Sequence, residues 1–402
     1  MKPYYIVVTP FFPTEESFRG PFILDQVKAI KRTGKYTVMV FKPKTWNEKL
    51  NNYIYEGVKV NLFTAFQMPS YLFNGMTNRM NCTLFVKQVQ KLGIDVNNIA
   101  VVHGHTSTFG AYALALKRLN GAIKAIVQHH DRDPYTILNG RLARWKWNAL
   151  YRAWKNIQIF NGVDCHVSVS KVVEDNLLSF PNPGKYESYK PYLEALRLVR
   201  TLPVIHPKKS LVLYNGVDTR MFYPKKGLRN NAIFKVGCIG NFQELKGQIT
   251  LIKAGERLIK ERGMLNLRLS FIGSGETLSQ CKTYVAKNRL DDYVAFENEV
   301  HHRELNDYYN TLDLFVLPSY YEGFGCVFTE ASACGVPFML CEHQGASEYI
   351  SPQESDKWLF RPHDDKMLSG LIYQYYLNRV KQNLRYSYDI DVLIASYLNE
   401  IS

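Results

Sequence analysis

The sequence predicts an α/β protein with two domains, each built on a doubly wound parallel sheet. Three observations support this prediction. The chain has 402 residues, which is more than a single hydrophobic core usually serves. Short apolar runs alternate with helical segments along the whole chain, as βαβ units require. The alternation starts again at Leu211-Val212-Leu213, which leads to the turn signal Asn215-Gly216, and this restart indicates a second domain.

The first domain is predicted over residues 1–210, from short apolar runs that are separated by helical segments. The runs lie at 5–9, 36–41, 99–102, 125–127 and 165–169, and helices are predicted at 22–33 and 111–119. The segment 181–209 is rich in Pro, Tyr and Lys and begins without a clear period. We interpret it as an insertion or an extended helical excursion of the first domain.

The second domain is predicted over residues 211–385, and residues 386–402 are predicted as a helix that packs back towards the first domain. The apolar runs lie at 211–213, 234–239, 267–272, 294–296, 312–317 and 336–340, and a helix is predicted at 249–262. Open parallel sheets bind ligands at the carboxyl ends of their strands. We therefore expect the chemistry in the strand-to-helix loops of two Rossmann-like domains that face a central cleft.

The composition narrows the class of protein and its partners. A hydrophobic share of 46% is ordinary for a globular chain, and no apolar run is long enough to predict a membrane-spanning helix. The seven cysteines are scattered without a CxxC pair, which indicates reduced thiols in a cytoplasmic protein. The net charge of +14 favours a phosphorylated substrate or an anionic membrane over nucleic acid, because the sequence has no nucleic-acid-binding module.

The strongest chemical signal follows the apolar run at 312–317. A glycine-containing loop carries Glu322, a helix is predicted to begin near Gly325, and Glu330 lies in that helix. Backbone N–H groups at a helix start attract phosphate or sugar oxygens. Carboxylates accept hydrogen bonds from hydroxyl-rich ligands such as a hexose and a ribose. By itself, however, the glutamate spacing favours two surface residues that flank a tight turn.

The surroundings of these glutamates resemble the E-x7-E signature of the retaining glycosyltransferases of family 4, which have the GT-B fold. The resemblance covers most of the chain, and its specificity comes from the order and spacing of several motifs. These motifs are Thr9-Pro-Phe-Phe-Pro13 with Gly20, His130-Asp131, Ser168-Val-Ser170, Leu213 to Asp218, Gly240 to Gly247, Phe271 to Glu276, and Glu304-Leu305 with Tyr308-Tyr309. The resemblance implies transfer of a sugar from a UDP- or GDP-sugar to a glycan or lipid-linked saccharide acceptor.

The resemblance also implies a role for each matching residue. Lys246 would neutralise the diphosphate leaving group, Glu322 would contact the donor sugar near its reacting carbon, and His130 would lie beside that sugar. Glu330 would bind the ribose hydroxyls. The other donor-binding positions would be Gly20, Gly240, Asn241, Gly273, Gly275, Phe324, Gly325, Cys326 and Val327. The resemblance implies neither a metal nor a cofactor, and it is also the basis for expecting retention of configuration.

Physical chemistry agrees with these roles. Breaking the anomeric C–O bond builds positive charge on the sugar ring, as in glycoside hydrolysis, and negative charge on the diphosphate. A lysine and a helix N-terminus aimed at the diphosphate stabilise that charge without a metal. One position departs from the family pattern, since Asn241 stands where an arginine is usual. Half of the expected cationic clamp is therefore missing or supplied by another cation.

Two other functions stay open at this point. His103, His105 and His130 could hold a metal ion in a hydrolase, although polar residues lining a cleft explain the same pattern better. The neutral Asn241 also fits a protein that binds a nucleotide sugar without catalysing its transfer.

The segment from Arg141 to Phe160 contains no acidic residue and predicts a basic amphipathic helix. One side would carry Arg144, Asn148, Arg152 and Lys155, and the opposite side would carry Trp147, Leu150, Trp154 and Ile157. Such a helix lies on an anionic membrane or packs its apolar side into the first domain. The first case predicts a cytoplasmic protein that is peripheral to the inner face of the membrane.

Overall fold

The computed structural model describes residues 2–17, 19–66, 76–130, 146–178 and 205–402, apart from the side chains of residues 146–150 and 152. The chain forms two compact units. The first comprises Met1–Tyr214 and Ile390–Ser402, and the second comprises Asn215–Asp389. Each unit contains its own sheet. None of the helices in the described ranges is long and apolar enough to cross a membrane.

The first unit contains an eight-stranded sheet in the order β3-β4-β2-β1-β5-β6-β7-β8. Its strands are β1 (Tyr4–Val8), β2 (Thr37–Lys44), β3 (Tyr53–Tyr55), β4 (Val58–Thr64), β5 (Ile99–His105), β6 (Lys124–His129), β7 (Cys165–Ser168) and β8 (Ser210–Val212). Every neighbouring pair is parallel except the β3–β4 hairpin at one edge. The sheet is therefore of the predicted parallel α/β type.

Helices cover both faces of this sheet. They are α1 (Pro21–Arg32), α2 (Asn78–Lys91), α3 (Gly110–Lys117), α4 (Lys146–Phe160) and α5 (Lys171–Leu178). Alternate residues of β1 point to opposite faces, as the period of a strand requires. Ile6 packs into a core with Phe85 of α2 and Leu116 of α3, whereas Tyr5 packs into a second core that includes Ile23 of α1.

The second unit contains a six-stranded sheet in the order β11-β10-β9-β12-β13-β14. Its strands are β9 (Phe234–Ile239), β10 (Leu267–Ile272), β11 (Val294–Glu297), β12 (Leu314–Leu317), β13 (Phe338–Cys341) and β14 (Leu359–Phe360). All pairs are parallel. The chain adds strands on one side of β9 and then returns to add β12 on the other side. The switch point of the sheet therefore lies between β9 and β12, which is where doubly wound sheets bind ligands.

The helices of the second unit alternate with its strands. They are α6 (Gln248–Arg262), α7 (Leu278–Lys287), α8 (Leu305–Asn310), α9 (Cys326–Ala333), α10 (Ser355–Trp358) and α11 (Asp365–Asn378). The last helix of the chain, α12 (Ile390–Ile401), belongs to the first unit. It buries Ile394, Tyr397 and Leu398 in the same core as Tyr5.

Two parts of the fold differ from the sequence-based prediction, and two further predicted segments fall largely on residues that the structure does not describe. The run at 211–213 is predicted to open the second sheet, but β8 pairs in parallel with β7 and completes the first sheet. A short apolar strand fits either sheet, so its pattern alone does not assign it. The hairpin β3–β4 is not among the predicted strands. Residues 131–145 and 179–204, which hold the start of the basic helix and most of the predicted insertion, lie outside the described residues.

Candidate functional site

The predicted donor residues of the second unit lie in the loops that follow β9, β10 and β12 and in helix α9, which begins after the last of these loops. Two of these loops touch each other through their backbones at glycines. A Cβ on Gly273 would lie 2.3 Å from the carbonyl oxygen of Gly240, and a Cβ on Gly275 would lie 2.3 Å from that of Phe242. Both glycines have positive φ, at 141° and 146°, which other residues rarely adopt. The glycines therefore let two loops meet at the carboxyl end of the sheet.

Lys246 lies in the short turn Glu244–Lys246, between β9 and α6. Its ammonium donates a hydrogen bond to Oε1 of Glu322 and forms an ion pair with it. The lysine side chain is 23% exposed and the glutamate side chain 12% exposed. Because an ammonium carries three donors, Lys246 keeps two for a further anionic ligand. The structure thus joins two of the three predicted catalytic residues directly.

The loop that carries Glu322 is fixed by hydrogen bonds on several sides. Ser319 Oγ donates to Glu322 Oε1 at 2.7 Å, and the backbone N–H of Glu322 donates to Oε1 of Gln344. The amide nitrogen of Gln344 donates to the carbonyl oxygen of Tyr320 at 2.8 Å. The backbone N–H of Gly345 donates to the carbonyl oxygen of Glu322 at 3.2 Å. The loop after β13 therefore holds the loop after β12 in place.

Helix α9 begins directly after this loop. Its N-cap is Gly325, with φ at 89°, which has no side chain of its own to cap the helix start. Cys326 and Val327, two of the predicted donor-binding residues, form the first turn. An uncapped helix start directs backbone N–H groups and the positive end of the helix dipole towards a ligand. This end of α9 is therefore suited to an anion.

Glu330 is buried in the middle of α9, with 5% exposure. Its Oε1 is 2.9 Å from Nε2 of His302, and its Oε2 accepts a hydrogen bond of 2.8 Å from the hydroxyl of Tyr309. Burial and the charge of Glu330 raise the pKa of Tyr309 well above its usual value, so the tyrosine stays a donor. A carboxylate has about four acceptor positions, which leaves room for ligand hydroxyls.

Asn241 has an exposed side chain, and its carbonyl oxygen accepts a hydrogen bond of 3.0 Å from Nε2 of Gln248. Within the described part of the chain, Lys246 is the one cation that bonds to Glu322, and none bonds to Asn241. The arginine that is usual at this position therefore has no visible substitute among these contacts.

Four residues that contact the two glutamates have no role assigned from the sequence: His302, Tyr309, Ser319 and Gln344. Ser319 lies three residues before Glu322, so the loop itself could have indicated it. Tyr309 and His302 come from the segment after β11, and Gln344 comes from the loop after β13. Tyr309 belongs to a motif of the family resemblance, but the contacts of all three residues with Glu330 and Glu322 depend on the sheet order, so the local sequence does not reveal those contacts.

The predicted residues of the first unit, Gly20 and His130, lie close to a common neighbour. Gly20 is the N-cap of α1, with φ at 89°, and a Cβ there would lie 3.1 Å from the carbonyl oxygen of Phe11. Phe22, in the first turn of α1, packs against the ring of His130 with centroids 4.9 Å apart. The turn at Gly20 and the end of β6 therefore meet around one aromatic contact.

His130 is held by a second histidine. Nδ1 of His105 lies 3.0 Å from Nε2 of His130, and the two rings are stacked. Burial lowers the pKa of His130 to about 3 and that of His105 well below its usual value, so both are neutral at pH 7. Nδ1 of His130 is buried without a partner in the described residues. A ligand hydroxyl can satisfy that nitrogen.

The histidines of the first unit are otherwise engaged as polar core residues. Nδ1 of His103 lies 2.7 Å from the hydroxyl of Tyr5, and its ring stacks on His105 with centroids 4.6 Å apart. Throughout the described ranges, no group of three His, Cys, Asp or Glu side chains is arranged to hold a metal ion. The geometry therefore gives no support to the metal-dependent hydrolase. All seven cysteines are free thiols.

Comparisons with known families and proteins match both units. Residues 22–187 match the family described as Glycosyltransferase Family 4, and residues 220–389 match the family described as Glycosyl transferases group 1. D-inositol 3-phosphate glycosyltransferase of Arthrobacter sp. (strain FB24) is 33% identical over 144 residues, which are 34% of either chain. The lipopolysaccharide core biosynthesis mannosyltransferase LpsB of Rhizobium meliloti is 32% identical over 165 residues, 38% of this chain and 46% of that protein. The chain thus spans less than half the length of these relatives.

Solved structures resemble the whole chain. Sucrose-phosphate synthase from Thermosynechococcus elongatus has a TM-score of 0.68 at 18% identity and covers 100% of this chain and 95% of its own. Anabaena HepE in complex with UDP and glucose has a TM-score of 0.61 at 15% identity, and the match covers 99% of this chain and 95% of the HepE chain. At this level of identity, the likeness describes the fold.

Proposed function

The chain belongs to glycosyltransferase family 4 and has the GT-B fold. On this premise we propose that it transfers a hexose-type sugar from a nucleotide-diphosphate sugar to a glycan or a lipid-linked saccharide, with retention of configuration. The observation that carries the proposal is the ion pair of Lys246 and Glu322 beside the uncapped start of α9. This ion pair supports a binding site in which a cation and a carboxylate contact the same ligand.

Lys246 and α9 would act on the leaving group. As the anomeric bond breaks, negative charge collects on the diphosphate, and fixed positive groups lower the energy of that state. Lys246 is fixed before the donor binds because Glu322 holds its ammonium. Two of its donors and the N–H groups of the first turn of α9 would bind the phosphate oxygens. These groups would bring positive charge to the diphosphate without a metal ion.

The two glutamates would bind the donor on either side of its diphosphate. Glu330 would accept hydrogen bonds from the ribose hydroxyls, since its carboxylate is oriented by Tyr309 and His302. Glu322 would contact the sugar near the carbon that reacts, where positive charge develops. In the first unit, His130 would offer Nδ1 to a sugar hydroxyl, because His105 occupies its Nε2.

A second candidate is a protein that binds a nucleotide sugar and does not transfer it. Asn241 is the observation that favours it. With a neutral side chain at this position and no second cation on Glu322 in the described residues, the diphosphate would be neutralised less completely. Binding would then persist while the transition state is stabilised less.

Both candidates are tested by a panel of UDP-, GDP- and ADP-sugars. We expect one class of donor to raise the unfolding temperature, because a ligand at 100 times its Kd adds about 2.7 kcal/mol to the free energy of unfolding. The same donor should release its nucleoside diphosphate when a saccharide acceptor is added, with or without EDTA. Stabilisation without release would favour the binding protein, and a panel without any stabilisation would contradict both candidates.

A further inference from the structure

One helical layer of the first unit carries basic residues and no carboxylate. Helix α3 packs against both α2 and α4, and none of the three contains Asp or Glu. The basic residues whose side chains the structure describes are Arg79, Lys87, Lys91, Lys117 and Lys155, and Arg118 follows α3 directly. This layer therefore concentrates positive charge on one face of the unit.

The three helices line an open cavity of about 710 Å³. Four cations line it: Arg79 and Lys87 from α2, Arg118 after α3, and Lys155 from α4. Among the described residues, none that lines the cavity is acidic, and none forms an ion pair with any of the four cations. Lys117, by contrast, pairs with Asp164 at 2.8 Å. Four uncompensated charges around one hollow repel one another, and an anionic ligand relieves that repulsion.

Exposed apolar side chains lie on and beside the same cavity. Met76 and Leu119 are part of its lining and are 53% and 54% exposed. Trp154, 39% exposed, precedes Lys155, whose ammonium lies 4.9 Å from the centroid of its ring. Trp and basic residues together are typical of the boundary between lipid headgroups and acyl chains. A soluble polyanion would match the charges but leave the apolar groups in water.

The position of Trp154 differs from the sequence-based prediction. The helical wheel places it opposite Lys155 with the apolar residues. In the structure Ile157 is buried, but Trp154 is partly exposed and interacts with Lys155. The reason is that Ala153, Ile157 and Phe160 already fill the contact with the core. The tryptophan thus joins the basic side.

We propose that the cavity between α2, α3 and α4 binds the phosphate headgroups of an anionic lipid bilayer. The headgroup phosphate contacts Arg79, Lys87, Arg118 and Lys155, and Met76, Leu119 and Trp154 reach the acyl boundary. This site is separate from the residues assigned to the donor, and its occupancy does not depend on catalysis. It widens the predicted membrane contact from one helix to a face of three helices.

Co-sedimentation of the 402-residue chain with vesicles tests this site. We expect binding to vesicles of phosphatidylcholine with 30 mol% phosphatidylglycerol and at least about tenfold weaker binding to pure phosphatidylcholine, since each basic residue near an anionic surface contributes several-fold. The variant R79Q/K87Q/R118Q/K155Q should lose at least about tenfold in its partition coefficient. Raising NaCl to 0.5 M should release the unaltered protein, because salt screens the attraction.

The matched control removes the same charge elsewhere. Lys49, Lys59, Lys226 and Lys287 are exposed and lie outside the cavity lining, so the variant K49Q/K59Q/K226Q/K287Q should keep its vesicle binding within about twofold. Equal losses in both quadruple variants would attribute binding to net charge and overturn the site. Equal binding of the unaltered protein to neutral and anionic vesicles would also overturn the site. A third contradicting result is a cavity variant R79Q/K87Q/R118Q/K155Q that binds vesicles as well as the unaltered protein does but loses binding to a fluorescent oligonucleotide. That result would reassign the cavity to a soluble polyanion and overturn the lipid proposal.

Discussion

Replacing Lys246 with methionine should lower kcat by about a hundredfold or more, since a fixed donor to a developing anion is worth on the order of 10²–10³ in rate. Lys246 bonds to Glu322 and is the cation assigned to the diphosphate. The effect should fall at the upper end of that range because Asn241 supplies no second positive charge. The measurement is steady-state release of nucleoside diphosphate from the donor that the panel identifies.

The control for this variant is Lys253→Met. Lys253 is exposed on α6 and lies over the ring of Tyr284, outside the assigned site, so its loss should change kcat by less than about twofold. A Lys246→Met protein that folds and turns over at the normal rate would remove the lysine from the mechanism. Thermal unfolding of both variants distinguishes lost chemistry from lost structure.

Replacing Glu330 with glutamine should weaken binding of the nucleoside diphosphate about 10- to 150-fold. A hydrogen bond to a charged group contributes about 1.5–3 kcal/mol, and the amide loses acceptor capacity while it gains donors. The new amide would also face the hydroxyl of Tyr309 or the ring of His302, which now bond to the carboxylate. Isothermal titration calorimetry of the nucleoside diphosphate measures the change in Kd.

Glu261→Gln is the matched control for that experiment. Glu261 is 58% exposed and pairs with Arg257 on the surface of α6, so the substitution should leave Kd unchanged. A further variant, Tyr309→Phe, should give an intermediate loss because it removes one of the groups that orient Glu330. Undiminished affinity in a folded Glu330→Gln protein would show that the ribose lies elsewhere.

Much of the fold follows from local pattern, and the exceptions have physical reasons. The strands around Val236 and Phe315 are buried on both faces, so continuous apolar runs identify them. The run at 211–213 is equally apolar, but its sheet is decided by pairing with His166 to Ser168, a contact between distant residues. Periodicity contains no information about such pairing.

In the candidate site, too, the local sequence predicts some features, and others depend on contacts between distant residues. Lys246, Glu322 and Glu330 stand in motifs whose spacing the sequence displays, and the glycine turns at Gly240 and Gly273 follow predicted strands. The ion pair between Lys246 and Glu322 joins residues 76 positions apart, and it forms because β9 and β12 are neighbours in the sheet. His302 reaches Glu330 for a similar reason. Such contacts follow from topology and not from composition.

The central claim is that Lys246 and the start of α9 bind a diphosphate while Glu330 binds the attached ribose. A crystal structure of the protein with the nucleoside diphosphate that stabilises it most tests this claim directly. We predict Nζ of Lys246 at about 3 Å from a phosphate oxygen, and a ribose hydroxyl at hydrogen-bonding distance from the carboxylate of Glu330. A diphosphate bound away from α9, with Lys246 still paired only to Glu322, would contradict the account.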